Sequence, residues 1–67
     1  MKINLNKIKG LIAENGDTQE DLAKKLGCSK ATVNYMLNGV VRMTLETATK
    51  IAKIYRIDPL SLITEEK

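Results

Sequence analysis

Residues Thr18–Gly39 read TQEDLAKKLGCSKATVNYMLNG, and their order of caps, apolar spacings and stops describes two short helices joined by a tight turn. Thr18 can N-cap the first helix, with Asp21 three residues on as the acidic partner of a capping box. Leu22, Ala23 and Leu26 fall on one helical face, and Gly27 supplies the left-handed residue that stops the helix. Ser29 caps a second helix, whose apolar face is Val33, Met36 and Leu37. Asn38-Gly39 ends it. So short a turn cannot lay the two helices antiparallel along their full length, and they are expected to cross steeply. The second helix is then braced by the first and turns its polar face outward.

The flanking sequence supplies partners for the two apolar faces. Upstream, a helix runs from about Asn4 or Asn6 to Glu14, with Leu5, Ile8, Leu11 and Ile12 at helical spacing and Asn15-Gly16 as its stop. Gly10 lies inside it at a cost of roughly 1 kcal/mol relative to Ala, and a close helix crossing is one reason to keep it. Downstream, Val40–Met43 form a loop and Thr44 caps a fourth helix from Leu45 to about Tyr55. Its inward stripe is Leu45, Ala48, Ile51, Ala52 and Tyr55. Asp58-Pro59 begins a short fifth helix through Ile63. Thr64–Lys67 form a polar tail expected to fray. The expected fold is all-α: five helices in one compact domain spanning residues 1–67.

Composition narrows the function. Sixty-seven residues hold one small core, built without Phe or Trp from Ile, Leu, Val, Ala and Met. The absence of His removes the usual acid, base and metal ligand, and the single Cys cannot form a zinc site alone. No catalytic residue, metal or cofactor is expected. No apolar run is long enough to span a bilayer and no signal-peptide pattern is visible, which points to the cytoplasm. Net charge is +3. No acidic residue lies between Leu22 and Leu45, whereas Lys24, Lys25, Lys30 and Arg42 do. The positive excess thus centres on the second helix of the pair and the loop after it, which suits phosphate attraction.

The paired helices have the layout of a helix-turn-helix, which presents one helix to a DNA major groove. Gln19, Leu22-Ala23, Leu26-Gly27, Val33 and Asn38-Gly39 resemble the Cro/repressor-type helix-turn-helix of the lambda repressor-like family. The resemblance continues through Leu45, Ala48, Ile51-Ala52 and Ile57-Asp58-Pro59-Leu60. It implies a sequence-specific, double-stranded DNA-binding transcriptional regulator, a repressor by preference, that binds as a homodimer on a roughly palindromic operator. One feature departs from the family pattern. Members often pair an Arg in the first helix with a Glu before Asn-Gly; here those positions are Ile12 and Leu37, so both charges have gone together and an apolar contact is expected instead. A protein-interaction module or an antitoxin on the same fold is the alternative function.

With Val33 and Leu37 facing inward, Lys30, Ala31, Asn34, Tyr35 and Asn38 share the outer face of the third helix. Lys30 can donate to guanine, Ala31 can meet a thymine methyl, and Asn34 can pair with adenine where it reaches a base edge. Tyr35 can contact a base edge or a phosphate. The resemblance implies phosphate contact by Gln19 at the N-terminus of the second helix; Ser29, Asn38, Arg42 and Lys9 are further phosphate candidates. Asn38 has an alternative role as the left-handed residue that ends its helix. Cys28 is expected to pack in the turn as a small hydrophobe, with a redox role as the lesser alternative. Lys24 and Lys25 read as solubilising charge. Val40, Val41 and Ile57–Ile63 are candidate dimer surface, with inward folding of the two valines as the alternative.

Overall fold

Asn4, Thr18, Ser29 and Thr44 each accept a backbone N–H through the side chain, and each opens a helix. The computed structural model describes residues 2–64. The helices are α1 (Leu5–Glu14), α2 (Gln19–Leu26), α3 (Lys30–Leu37) and α4 (Leu45–Ile54), followed by a 3-10 turn over Pro59–Leu62. Two short strands, β1 (Lys2–Ile3) and β2 (Ile63–Thr64), pair antiparallel with Lys2 opposite Thr64 and Ile3 opposite Ile63.

The expected fifth helix is therefore a single 3-10 turn, and the α-helices number four among the described residues. The cause is local. Asp58 accepts the N–H of Leu60 through its side chain and that of Ser61 through its carbonyl, closing a tight turn. Ile63 then turns extended to pair with Ile3, which leaves no length for an α-helix. Thr64, expected to fray, is the partner of Lys2; the rest of the expected tail, residues 65–67, lies outside the described residues.

All four helices and the 3-10 turn contribute to one core. Ile8, Leu11 and Ile12 of α1, Leu22 and Ala23 of α2, and Val33, Met36 and Leu37 of α3 are buried with Ala48, Ile51 and Ala52 of α4, Met43 and Leu62. Ile12 and Leu37 lie in this cluster, as the shared loss of charge requires. Leu45 departs from expectation. It is 50% exposed, because the inward stripe of α4 overhangs an open groove at its first turn. Gly10 departs as well. It is exposed and an added Cβ would meet nothing within 4 Å, so no helix crossing requires it and nothing in the structure explains it.

Each helix ends on paired backbone bonds and a left-handed residue. After α2, Cys28 N donates to Ala23 O at 3.0 Å while Gly27 sits at φ 79°. After α4 the same closure uses Arg56 at φ 56°, with Ile57 N donating to Ala52 O at 2.9 Å. A non-glycine residue there costs roughly 1 kcal/mol or more.

A polar clasp ties α2 to α4. The Asp17 carboxylate accepts from Lys25 Nζ at 2.6 Å and from Tyr55 OH at 3.0 Å, and Lys25 lies 5.6 Å from the centre of the Tyr55 ring. Lys25 is thus a structural partner rather than only solubilising charge. The hydrogen bond from Lys25, then that from Tyr55, holds the Asp17 carboxyl below its ordinary range. Burial, reinforced by the bond to Asp17, pushes the Tyr55 phenol up.

Two expectations follow for stability. Leu37→Ala should destabilise by about 2–5 kcal/mol, and thermal melts of Ile12→Ala, Leu37→Ala and the double variant should show non-additive losses; additive losses would mean the two residues do not touch. Because the Asp17 pKa is depressed on folding, the clasp contributes stability above the ordinary carboxylate pKa that is lost as pH falls through the folded value. Melting temperature should accordingly drop more steeply below about pH 4 in the parent than in Asp17→Asn, and equal slopes would exclude the clasp as the cause.

Candidate nucleic-acid interface

The turn between α2 and α3 is held by its backbone, which decides where its side chains go. With Cys28 N bonded back into α2, the Cys28 side chain points out and is exposed, contrary to the packing expected of it. The capping box forms as read: Asp21 N donates to Thr18 Oγ1 at 3.1 Å and Thr18 N to Asp21 Oδ2 at 2.9 Å. Ser29 Oγ accepts from Thr32 N at 3.2 Å and lies 2.9 Å from Thr32 Oγ1. Its hydroxyl is thereby engaged in starting α3.

Burial of Val33, Met36 and Leu37 leaves Lys30, Ala31, Asn34 and Tyr35 exposed on α3, with Asn38 beyond its end. These are the five residues that the helical spacing assigned to the outer face. Asn38 has φ −95°, and the left-handed position belongs to Gly39 at 76°. The alternative role for Asn38 as left-handed stop is therefore overturned, because Gly39 takes that conformation without a Cβ penalty.

Gln19, half-buried at the start of α2, is brought against this face. Asn34 Nδ2 donates to Gln19 Oε1 at 3.2 Å, and Asn38 Nδ2 donates to Asn34 Oδ1 at 3.1 Å. Sequence spacing shows the four-residue relation of Asn34 and Asn38 on one helix. It does not show the contact with Gln19, fifteen residues away, which depends on how the two helices cross. Lys9 of α1 lines a recess with Asn6, Leu37 and Asn38. Arg42 lines an adjoining groove of about 760 Å³ together with Leu5, Met36 and Met43. Among the described residues no carboxylate lies within ion-pair distance of Lys9, Lys30 or Arg42.

The candidate dimer surface is divided. Val40 and Val41 are exposed, so their inward folding is overturned, and Leu60 is 72% exposed. Leu62 instead belongs to the core, and Ile57 and Ile63 are half-buried. Among the described residues no group of His, Cys, Asp and Glu could hold a metal ion, and no helix is long and apolar enough to cross a membrane.

Comparison with known proteins agrees with this geometry. A helix-turn-helix family model matches residues 8–62, from the first buried residue of α1 to the last buried residue of the 3-10 turn. An HTH-type transcriptional regulator of Archaeoglobus fulgidus is 35% identical over 63 residues, covering 91% of this chain and 90% of the relative. Another, of Methanocaldococcus jannaschii, is 44% identical over 52 residues, covering 78% of this chain and 79% of its own. No solved structure matches the chain. With the match spanning the complete four-helix core and the site that α2 and α3 build on it, the chain belongs to the Cro/repressor-type helix-turn-helix family of DNA-binding transcriptional regulators.

Proposed function

We propose that this protein is a transcriptional repressor that reads operator DNA through the major groove with α3. The observation that carries the reading is the exposed row Lys30, Ala31 and Tyr35 on α3, with Gln19 at the N-terminus of α2 bonded into the same surface through Asn34. Lys30, in the first turn of α3, donates to guanine O6 and N7, and Ala31 meets a thymine methyl. Tyr35, half-exposed and longest in reach, contacts a base edge or a phosphate further along. Gln19, Asn38, Lys9 and Arg42 hold phosphates and set the register, and Ser29 adds a hydroxyl beside its cap.

One α3 covers a half-site, so the protein acts as a homodimer on half-sites about one helical turn apart, in the cytoplasm where its operator lies. Val40 and Val41, immediately after α3, are the surface proposed for the partner copy. A protein-interaction role on the same fold, antitoxins included, is favoured only by the exposed apolar groove beside Val41 and Leu45. A chain that selects no duplex but captures a partner there would support it.

Selection of bound fragments from random duplex DNA defines the operator, and two measurements on it test the mechanism. If Lys9 and Arg42 are the cations that meet phosphates while Lys30 reads a base, log K should fall against log salt with a slope of roughly −2 per half-site. Salt-insensitive binding would exclude the DNA reading. Against a library of operator variants, Lys30→Ala should lose roughly 1–3 kcal/mol of discrimination at one base pair. Gln19→Ala should weaken every sequence alike. A uniform loss in Lys30→Ala would reassign Lys30 to a phosphate and leave Ala31 and Tyr35 to carry the readout.

A further inference from the structure

Three side-chain amides form one hydrogen-bonded row across the outer side of the helix pair: Asn38 donates to Asn34, and Asn34 donates to Gln19. The row starts just past the end of α3 and finishes on the first residue of α2. Among the described residues, the Asn34–Gln19 bond is the sole side-chain hydrogen bond that joins α2 to α3.

The row has a direction. Each amide accepts through its oxygen and donates through its nitrogen. Turning over any one of them sets oxygen against oxygen or nitrogen against nitrogen, so the three keep or reverse their direction together. In the observed direction Gln19 is the final acceptor. Its Nε2 has no partner among the described residues, and Gln19 is the first residue of α2. Asn34 differs: its oxygen and its nitrogen are both engaged within the protein, on opposite flanks. A bidentate adenine contact would draw on the same two groups.

We infer that Asn34 is a positioning residue rather than a base reader: it locks the amides of Gln19 and Asn38, so that one side chain sets two grips on the DNA backbone. This rests on the DNA-reading function proposed above. It also assigns a role to the residue that spacing alone leaves between base and backbone.

The test combines an operator library with NMR of the free protein, with circular dichroism confirming that each variant is folded. Asn34→Ala should lower operator affinity roughly three- to tenfold, the scale of one or two modest hydrogen bonds. The loss should be the same for every base substitution in the library. In a Gln19→Ala background the same change should cost much less, because the partner it positions is gone. Relaxed preference at a single base pair would make Asn34 a reader and overturn the inference, as would additive losses. Without DNA, Gln19→Ala should shift the side-chain amide resonances of Asn34. Unmoved resonances would remove the row while leaving the DNA-reading function standing. An intact row in a parent protein that binds no duplex would overturn that function, and the role of Asn34 with it.

Discussion

Burial of Val33, Met36 and Leu37 is the interaction on which the rest of this molecule depends. α3 has eight residues, too few to hold a helix in water without tertiary support. Withdrawing each of the three side chains from water contributes roughly 1.5–3 kcal/mol, enough together to hold the helix against α1 and α2. The same three positions determine which residues remain outside. Because Gly27, Cys28 and Ser29 alone separate the end of α2 from the start of α3, the phase of α3 is locked to that of α2. One residue added to this turn would rotate α3 by about 100° and place Thr32 and Tyr35 where Val33 and Met36 are buried.

The brace is apolar where the family often uses charge. Ile12 and Leu37 occupy the positions of a common Arg–Glu pair, and both are buried. A buried ion pair must recover a large desolvation penalty before it stabilises anything, whereas two aliphatic side chains have none to recover. Polar bonding is displaced to the rim instead. Asp17 gathers Lys25 and Tyr55 at the edge of the core, where the carboxylate retains contact with water. This clasp holds the C-terminal half of α2, the element against which α3 is set.

What the sequence made legible follows from local chemistry. The caps at Thr18, Ser29 and Thr44 and the stop at Gly27 are decided by residues within a few positions, and each appears where its residues imply. The first helix, open to a start at Asn4 or Asn6, is capped by Asn4. The outer face of α3 was legible for the same reason, since Val33 and Leu37 fix its phase. The features missed involve distant partners. The pairing of β1 with β2 joins segments about sixty residues apart, and neither two-residue strand has a period to read. Tyr55 reaches Asp17 across 38 residues. Leu45 fits the inward stripe of α4 by spacing, yet the core ends before its turn. Cys28 depends on which way a backbone-closed turn points its side chain, which residue type does not reveal.

The distribution of charge bears on the role proposed for the amides on this face. Carboxylates among the described residues match Lys24 through Glu20, Lys25 through Asp17, and Lys50 through Glu46. With a net charge of only +3, the long-range field that would draw and hold DNA is modest. Lys9, Lys30 and Arg42 supply attraction, but a lysine on a flexible stem supplies little orientation. Orientation has to come from groups whose hydrogen bonds are directional and whose own positions are fixed. Gln19 is such a group, rooted at a helix start by the capping box and turned by Asn34. On the DNA-reading function proposed above, a weakly charged domain that must find one register on a uniform phosphate backbone would rely on neutral donors held in place, and the row of amides is where this fold would hold them.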